Sequence, residues 1–392
     1  MELTKKQEEG LKLALQRHKL HEKYVVISGY AGTGKTTLVR FIIEALDVDK
    51  DKVAYATFTG KAAEVLRKKG NKNAMTLHRL LYESFPRPGG GFIRIPKKTL
   101  EYTIIVVDEC SMVPKSMIDI LLAHNVFVIF LGDPFQLPMI DKKESHDLLT
   151  NPHIFLDQIM RQAEESEIIR LTMKIRQKEP IEMGQGKEVL IAPKEDLVTG
   201  HLLWADNIIC ATNATRHSIN EQMRKLLGFE GELQSGEKVI IRRNYWETCN
   251  EDGDALVNGT IGIVQNPFNS IVQIPGYIKN DRHRIPIIMA DFTPDGGKSF
   301  GTIDFDKDFI LNETPCVDWR VSYQIGKLRA KLGDILPKQA TYGYALTCHA
   351  SQGSEWDKVV VIEENFPFDK NEHARWLYTA CTRSAKKLVL LR

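Results

Sequence analysis

The sequence has no surplus of charge of either sign, because 53 basic residues against 51 acidic ones leave a formal net charge of +2. A uniformly basic surface is therefore excluded, and any nucleic acid would have to bind in a local groove. Basic residues do cluster at Lys61, Arg67, Lys68, Lys69 and Lys72. This cluster fits either part of such a groove or the solvated end of a helix.

Paired cysteines and long apolar segments are also absent. The six cysteines are scattered without a C-x-x-C pair, which predicts free thiols in a reducing compartment and argues against zinc sites and disulfide frameworks. No apolar run approaches 18 uncharged residues, and the start MELTKKQEEG has no signal-peptide core. We therefore expect neither secretion nor a membrane span.

Short apolar runs alternate with amphipathic segments over the first 160 residues. Strands are predicted at 24–29, 53–58, 103–108 and 126–132, and helices follow most of them. This alternation favours a parallel sheet covered by helices on both faces, whose ligands bind at the carboxyl ends of the strands. The total of 392 residues predicts two or three domains.

Two segments interrupt this α/β pattern. Residues 82–100 contain Pro86, Pro88 and three consecutive glycines before an apolar-basic strand, which predicts a small hairpin inserted into the first domain. Residues 233–334 consist of short apolar runs separated by Gly, Pro, Asn and Asp, which is typical of a β-rich, barrel-like region. The α/β pattern continues around that region, with strands predicted at 207–213 and within 340–392.

The segment GYAGTGKTT follows the apolar run YVVIS and precedes a helical pattern. Gly29, Gly34, Lys35 and Thr36 fit the phosphate-loop pattern G-x-x-x-x-G-K-[ST], whose backbone N–H groups and helix N-terminus bind nucleotide phosphates. In such a loop, Lys35 reaches the β and γ phosphates and the Thr36 hydroxyl is a Mg²⁺ ligand. The alternative is an ordinary glycine-rich turn, against which the flanking strand and helix argue.

Asp108 and Glu109 follow the apolar strand TIIVV. There, Asp108 can hold Mg²⁺ opposite Thr36 while Glu109 polarises the attacking water. A third strand leads into LGDPFQLP and would bring Gln136 close to the γ-phosphate, where a neutral amide can orient water and sense loss of the phosphate. A proline-bounded turn is the alternative interpretation of this last segment.

Transfer of a γ-phosphoryl group needs positive charge from a second side of the site, and such an arginine can raise the rate by about 10³ to 10⁵. The candidates are Arg161, after LDQIM, and Arg383, in LYTACTRSAKKL. Arg161 fits a surface position equally well, whereas Arg383 lies among small residues just before a final strand. The predicted catalytic set is Lys35, Glu109, Gln136, Arg161 and Arg383.

The motif order resembles that of the superfamily 1 DNA helicases, in their RecD-like and phage Dda-like branch. The motifs are Gln7, GYAGTGKT, TFTGKAAEVL, TLHRLL, DEC, GDPFQLP, MRQ, TCHASQGSEWDKV and YTACTRS. They run from residue 4 to the C-terminus. The resemblance implies an α/β fold with two RecA-like P-loop NTPase domains, ATP and Mg²⁺ in the cleft between them, and 5′-to-3′ movement on single-stranded DNA.

The resemblance also implies a domain arrangement and a setting. RecA-like domain 1 would span 1–160, with a pin hairpin at about 82–100, and RecA-like domain 2 would comprise 161–232 and 335–392. Residues 233–334 would form an SH3-like insertion. We expect a monomer in the cytoplasm of a bacterial or phage-infected cell, acting on single strands and duplex junctions in replication, repair or recombination.

Two sets of binding residues are implied by the resemblance. For the nucleotide these are Gln7 at the adenine edge, Glu355 near the ribose, Asp108, and the loop residues Gly29, Ala31, Gly32, Thr33, Gly34, Lys35, Thr36 and Thr37. For DNA they are Thr59, Gly60, Lys61, Thr76, His78, Asn258, Thr347, His349 and Gln352, with Phe92 or Phe85 stacking on a base at the hairpin.

Ordinary roles stay open for several of these residues. Gln7 also fits an exposed helix start, and His78 and His349 also fit structural positions. Thr59 and Thr76 fit helix N-caps, with or without a phosphate contact. The hairpin is shorter and richer in glycine than the pin of the family, so translocation is a firmer expectation than strand separation.

The sequence therefore predicts an ATP-driven helicase or translocase. The alternative is a DNA-stimulated ATPase that acts as a clamp or remodeller without separating strands, and a preference for RNA stays open. A small-molecule kinase also uses a phosphate loop, but the two arginines and the GDPFQLP element argue against it.

Overall fold

A computed structural model describes residues 3–86, 92–139, 141–251, 255–275, 282–315, 336–367 and 369–392. The chain forms two compact units. Unit 1 comprises Met1–Tyr82, Pro96–Asn213 and Thr347–Arg392, and unit 2 comprises Glu83–Ile95 and Ala214–Leu346. The predicted domain boundaries themselves stay predictions.

The α-helices of the described residues are α1 Lys5–Lys19, α2 Lys35–Leu46, α3 Gly60–Lys68, α4 Leu77–Leu81, α5 Lys115–Leu122, α6 Arg161–Glu164, α7 Glu167–Gln177, α8 Thr199–Trp204, α9 Asn213–Leu226, α10 Lys307–Asn312, α11 Cys348–Ser351 and α12 Lys370–Cys381. Within this part of the chain, no helix has the length and apolar character that a bilayer crossing requires.

The strands of the described residues are β1 Tyr24–Gly29, β2 Val53–Thr57, β3 Ala74–Thr76, β4 Tyr82–Pro86, β5 Phe92–Pro96, β6 Ile104–Val107, β7 Phe127–Gly132, β8 Ile154–Leu156, β9 Gly184–Gln185, β10 Val189–Ala192, β11 Asn207–Cys210, β12 Lys238–Ile241, β13 Tyr245–Cys249, β14 Ala255–Leu256, β15 Ile261–Pro275, β16 Arg282–Pro294, β17 Thr302–Asp306, β18 Ala340–Tyr342, β19 Ala345–Thr347, β20 Trp356–Ile362 and β21 Ser384–Leu391.

The first sheet of unit 1 is six-stranded, in the order β3-β2-β6-β7-β1-β8, and every pairing in it is parallel. Both faces are buried, because successive side chains of a strand point to opposite sides. In β6, for example, Ile105 and Val107 join one core while Ile104 and Val106 join the other. The predicted parallel α/β arrangement is confirmed.

A second sheet in unit 1 contains β11, β20, β21, β10 and β9 in that order. Its inner pairings are parallel and only the short β9 runs antiparallel. The carboxyl ends of β1, β6 and β7, which are neighbours in the first sheet, are followed by the phosphate-loop segment, Asp108 and Asp133. The topology thus brings three separate sequence motifs to one edge.

Unit 2 is β-rich, as the composition of 233–334 predicts. Five strands form an antiparallel sheet in the order β17-β16-β15-β12-β18. Strands β13 and β14 form a second small sheet, and β4 pairs with β5 as the predicted hairpin. The SH3-like arrangement stays a prediction.

Candidate functional site

The phosphate-loop segment lies between β1 and α2, as predicted. Gly32 and Gly34 both have φ of 77°, a left-handed conformation that glycine adopts without strain. Gly34 is the N-cap of α2, which places Lys35, Thr36 and Thr37 in the first helical turn. The segment therefore has the backbone form of an anion-binding loop at a helix N-terminus.

The Lys35 ammonium group folds back over its own loop. Its Nζ donates to the carbonyl oxygens of Gly29 at 2.7 Å and Tyr30 at 2.9 Å. Thr33 is buried, and its hydroxyl also donates to Tyr30 O, at 2.9 Å. Lys35 is thus held within reach of the loop, where its charge can meet a phosphate.

Gln7 is buried against the loop rather than exposed, with 1% of its surface accessible. It forms a capping box with Thr4, because the Thr4 hydroxyl accepts from Gln7 N and Gln7 Oε1 accepts from Thr4 N. Its Nε2 lies 3.4 Å from both Thr33 O and Gly34 O. Gln7 therefore ties the start of α1 to the phosphate loop, and its contact with adenine stays a prediction.

Asp108 and Glu109 directly follow β6. The Glu109 backbone N–H donates to Asp108 Oδ1 at 2.9 Å, and Glu109 has φ of 52°. Burial and the neighbouring Glu109 carboxylate raise the pKa of Asp108 from 3.8 to about 6, against the opposing effect of Lys35. The two adjacent carboxylates thus resist full ionisation, and a divalent cation would relieve their mutual repulsion.

Gln136 lies between Glu109 and Arg383. With its amide nitrogen facing Glu109, it donates to Glu109 Oε2 at 3.1 Å, and its oxygen accepts from Arg383 Nη2 at 3.2 Å. The predicted water-polarising acid and the predicted arginine are therefore connected through one buried side chain.

Arg383 follows α12 and is 5% exposed. Its guanidinium donates to Thr379 O at 3.1 Å, Ser354 O at 3.3 Å and Thr382 Oγ1 at 3.2 Å. Together with Gln136, these partners are all uncharged oxygens among the described residues. The buried positive charge of Arg383 therefore has no ion-pair partner within the described segments of the chain.

The other predicted residues of the nucleotide site have different positions. Arg161 begins α6, and its side chain lies outside the described residues. The preceding Met160 N donates to Gly32 O at 3.0 Å, so the backbone at this point contacts the phosphate loop. Glu355 is exposed and lies 3.5 Å from Lys69 Nζ.

A cleft of about 230 Å³ brings most of these groups together. It is lined by Ala31, Lys35, Ala62, Val65, Leu66, Lys69, Asp108, Glu109, Asp133, Gln136, Gly353, Ser354, Glu355, Thr382 and Arg383. The ammonium group of Lys35, the carboxylates of Asp108 and Glu109, and the guanidinium of Arg383 from a different sheet thus line one space.

Two residues at or beside the cleft, Asp133 and Tyr378, were not predicted as site residues from the sequence. Asp133, in GDPFQLP, and Tyr378, in YTACTRS, form a 2.6 Å hydrogen bond in which the tyrosine hydroxyl donates to Asp133 Oδ2. Burial raises the pKa of Asp133. Both residues lie inside motifs of the family resemblance, but no local sequence pattern indicates that their side chains form a hydrogen bond with each other.

The predicted DNA-binding residues Thr59 and Thr76 are both helix N-caps. Thr59 Oγ1 accepts from Ala62 N and Thr76 Oγ1 accepts from Arg79 N, both at 3.3 Å. Gly353, which has φ of 74°, approaches Thr59 so closely that a Cβ on it would lie 2.8 Å from Thr59 Oγ1. The TFTGKAAEVL and TCHASQG motifs therefore meet at this point.

The other predicted DNA-binding residues of unit 1 belong to the TFTGKAAEVL, TLHRLL and TCHASQG motifs. Gln352 is buried, and its Nε2 donates to Leu137 O at 2.7 Å. Thr347 is the N-cap of α11, and burial lowers the pKa of the half-buried His349. The His78 ring stacks on Tyr82 with 6.1 Å between centroids. Lys61 Nζ lies 3.6 Å from Glu64 Oε2. Gly60 is the first residue of α3.

Two candidates belong to other regions. Asn258 is exposed in the turn before β15, where its N–H donates to Asn244 Oδ1 at 2.9 Å. Phe92 begins β5, but its side chain, like that of Phe85, lies outside the described residues. The DNA contacts of all these residues stay predictions.

Family models match both ends of the chain. One described as an AAA domain matches residues 2–189, and one described as a UvrD-like helicase C-terminal domain matches residues 342–391. The first match contains Lys35, Asp108 and Gln136, and the second contains Gln352 and Arg383.

Two curated proteins are similar over much of the chain. The ATP-dependent RecD2 DNA helicase of Deinococcus radiodurans is 25% identical over 92% of this chain and 46% of the relative. The ATP-dependent DNA helicase dda of Enterobacteria phage T4 is 25% identical over 74% of this chain and 69% of the relative. The chain thus spans less than half the length of RecD2.

Solved structures share the fold. A structure concerned with the unwinding of forked double-stranded DNA by two Pif1 helicases aligns with a TM-score of 0.53 at 20% identity, covering 100% of this chain and 92% of that chain. A Bacteroides Pif1 bound to single-stranded DNA aligns with a TM-score of 0.51 at 19% identity and the same two coverages. The RecA-like fold class and the resemblance predicted from the motif order are confirmed.

Proposed function

Because the chain belongs to the superfamily 1 helicases of the RecD, Dda and Pif1 type, we propose that it is an ATP-driven motor. It moves 5′ to 3′ along single-stranded DNA and takes its energy from Mg-ATP bound in the cleft that Lys35 and Arg383 line. The family resemblance supports the direction of movement and the substrate, whereas the geometry of the cleft supports the nucleotide site.

The main support for the nucleotide site is the environment of Arg383. Arg383 is 5% exposed and hydrogen-bonded only to uncharged oxygens among the described residues. A buried charge without a counter-charge is unfavourable, and an anion in the cleft would compensate it. The same cleft is lined by Lys35, so two cations would flank a triphosphate from opposite sides.

The cleft residues divide the chemistry of hydrolysis among them. Lys35 and the loop N–H groups bind the β and γ phosphates, and Glu109 accepts the proton of the attacking water. Gln136 holds Glu109 and Arg383 in one hydrogen-bonded arrangement, and Arg383 stabilises the charge that develops on the γ-phosphoryl group. Thr36 and Asp108 would hold Mg²⁺, which would supply neutralisation of phosphate charge.

The same elements connect the nucleotide to the DNA candidates. Gln352 Nε2 donates to Leu137 O, the residue that follows Gln136. Gly353, the next residue, lies against Thr59. Loss of the γ-phosphate removes the partner that Lys35 and Arg383 share, and we propose that the resulting rearrangement reaches Thr59 and His349 through these two contacts. Alternating grip on the sugar–phosphate backbone would then produce steps.

A strand-displacement assay on labelled duplexes with 5′ or 3′ tails tests the proposal. We expect ATP-dependent opening of the 5′-tailed duplex only, and no opening by the Glu109→Gln variant. Because contacts to the backbone are electrostatic, activity should fall with salt and be tolerant of sequence. Opening of the 3′-tailed duplex alone would contradict the proposed polarity.

The alternative function is a DNA-stimulated ATPase that acts without strand separation. The hairpin favours it, because β4 and β5 are only five residues each. In that case single strands would stimulate ATP hydrolysis while neither tailed duplex opened. Matched single-stranded DNA and RNA in the ATPase assay would show which nucleic acid is preferred.

A further inference from the structure

The tyrosine that begins the YTACTRS motif is deeply buried. Tyr378 lies on α12 with 1% of its surface exposed, and its ring packs edge-on against Phe135 with 5.2 Å between centroids. A phenol in such surroundings needs hydrogen-bond partners for its hydroxyl.

The Tyr378 hydroxyl has two partners, and both belong to the edge of the first sheet. It accepts from the backbone N–H of Ala31 at 2.9 Å and donates to Asp133 Oδ2 at 2.6 Å. The other carboxylate oxygen of Asp133 accepts from Phe135 N at 2.9 Å. One hydroxyl therefore joins the phosphate loop to the loop that follows β7.

The residue after Tyr378 extends this connection toward Arg383. Thr379 Oγ1 accepts from Leu137 N at 2.9 Å, and the Thr379 carbonyl accepts from Arg383 Nε at 3.1 Å. The last turns of α12 thus contact the phosphate loop, the Asp133–Leu137 segment and Arg383. In the described part of the chain, the Tyr378 hydroxyl is the only group of α12 that forms a hydrogen bond with the phosphate loop.

We propose that Tyr378 is a positioning residue of the nucleotide site: its hydroxyl holds the phosphate loop at Ala31 and the Asp133 carboxylate in register with Arg383. The proposal rests on the proposed ATP hydrolysis. It assigns to Tyr378 the alignment of the two cationic sides of that site, Lys35 and Arg383. Displacement of reacting groups by about 1 Å can cost about a hundredfold in rate. Removal of the hydroxyl should therefore lower kcat, with a smaller effect on KM because Lys35 and the other loop N–H groups remain available to bind ATP.

The variant that tests this is Tyr378→Phe, which keeps the ring and removes only the hydroxyl. The matched control is Tyr24→Phe in β1, because the Tyr24 ring also packs edge-on against a phenylalanine, Phe130, but its hydroxyl has no hydrogen bond within the described part of the chain. Asp133→Asn is a second variant, which weakens the acceptor of the Tyr378 proton and keeps the side-chain shape.

Two readouts are needed, one of them independent of turnover. Amide hydrogen exchange of a peptide covering residues 29–37 reports on Ala31 N–H, and we expect about 3- to 10-fold faster exchange at Ala31 in Tyr378→Phe because a hydrogen bond is lost. In DNA-stimulated ATP hydrolysis, we expect kcat to fall about tenfold with KM within about twofold of the wild type. Asp133→Asn should change both readouts in the same direction, and the losses of the double variant should not add.

Wild-type exchange at Ala31 in both variants, or an unchanged kcat in Tyr378→Phe, would overturn the proposal. A rise of KM with no change of kcat in Tyr378→Phe would also overturn the proposal, because the hydroxyl would then contribute to nucleotide binding alone. If the wild type hydrolyses no ATP with DNA, the proposed function fails. The exchange measurement then still decides whether the Tyr378 hydroxyl holds the phosphate loop.

Discussion

Gln136 and Arg383 lie in contact, with 3.2 Å between the Gln136 amide oxygen and Arg383 Nη2. Gln136 follows a strand of the first sheet and Arg383 precedes a strand of the second, so this contact links the two sheets of unit 1 at the cleft. Since the Gln136 nitrogen also faces Glu109, the position of the arginine and the position of the acid depend on one side chain.

The first prediction concerns this bridge. Gln136→Leu fills the same buried space but removes both hydrogen bonds, and hydrogen bonds to charged groups contribute about 1.5–3 kcal/mol. We expect kcat for DNA-stimulated ATP hydrolysis to fall about 10- to 100-fold with little change in KM. Gln177→Leu, at the exposed end of α7, is the control, and equal rates for the two variants would contradict the bridge.

The second prediction separates binding from chemistry. Lys35→Ala removes the ammonium group that meets the phosphates, so both nucleotide binding and turnover should be lost. Glu109→Gln keeps the shape but removes the proton acceptor, so turnover should fall by at least about 10² while a fluorescent ATP analogue still binds. Normal turnover in either variant, measured by phosphate release, would refute the assignment of the site.

The third prediction concerns the buried arginine. Arg383→Ala should lower kcat by about 10³ or more, as expected for an arginine that stabilises phosphoryl transfer. Lys386→Ala is the matched control, because this substitution also removes one positive charge but from an exposed position. Lys386 Nζ lies 2.6 Å from Asp357 Oδ2. A similar small effect of both substitutions on the steady-state ATPase rate would show that Arg383 is structural.

The fourth prediction is a dependence of stability on pH. The pKa of Asp108 is raised from 3.8 to about 6 by burial and by Glu109. An ionised Asp108 therefore destabilises the metal-free native state above pH 6, by at most about 3 kcal/mol, and less where solvent reaches the cleft. This penalty disappears as the pH falls from 6 toward 4, because native Asp108 then takes up a proton.

Asp108→Asn should accordingly raise the melting temperature of the metal-free, nucleotide-free protein at pH 8, and raise it much less at pH 4.5. Its loss of Mg-ATP hydrolysis should be complete at both pH values. Thermal denaturation at the two pH values measures the effect, and a variant that melts earlier than the wild type at pH 8 would contradict the stated electrostatics.

Much of the first sheet is predictable from local pattern. The strand predicted at 24–29 is Tyr24–Gly29. Those predicted at 53–58 and 126–132 differ from the observed strands by one residue at one end, and the strand predicted at 103–108 differs by one residue at each end. These strands are apolar runs buried on both faces, so their ends follow from composition alone. The strand predicted at 207–213 ends earlier, at Cys210, because Glu364 accepts from the N–H groups of Ala211 and Thr212.

Long-range features were less predictable. The runs TIGIVQ and SIVQI are separated by the four residues NPFN at 266–269, which predicts two short strands. Strand β15 instead continues through them, with a register shift between Gln265 and Phe268. Asn266 has φ of 51°, a conformation that asparagine tolerates, so the irregularity is absorbed as a bulge. A local pattern cannot distinguish such a bulge from a turn.

The candidate site shows the same division. Lys35, Asp108 and Glu109 follow predicted strands, and the rule for ligands of parallel sheets places them at one edge. The buried pairing of Tyr378 with Asp133, and the capping box that fixes Gln7, depend on contacts between segments far apart in the chain. Those contacts arise from the packing of whole elements, so no sequence spacing specifies them.

The central claim is that a triphosphate is held from both sides, by Lys35 and by Arg383. A structure determined with Mg²⁺, ADP and a metal-fluoride mimic of the γ-phosphate tests it most directly. We expect Lys35 Nζ and an Arg383 guanidinium nitrogen to lie within about 3.2 Å of the mimic. An Arg383 side chain that still points only to Thr379, Ser354 and Gln136, away from the ligand, would contradict it.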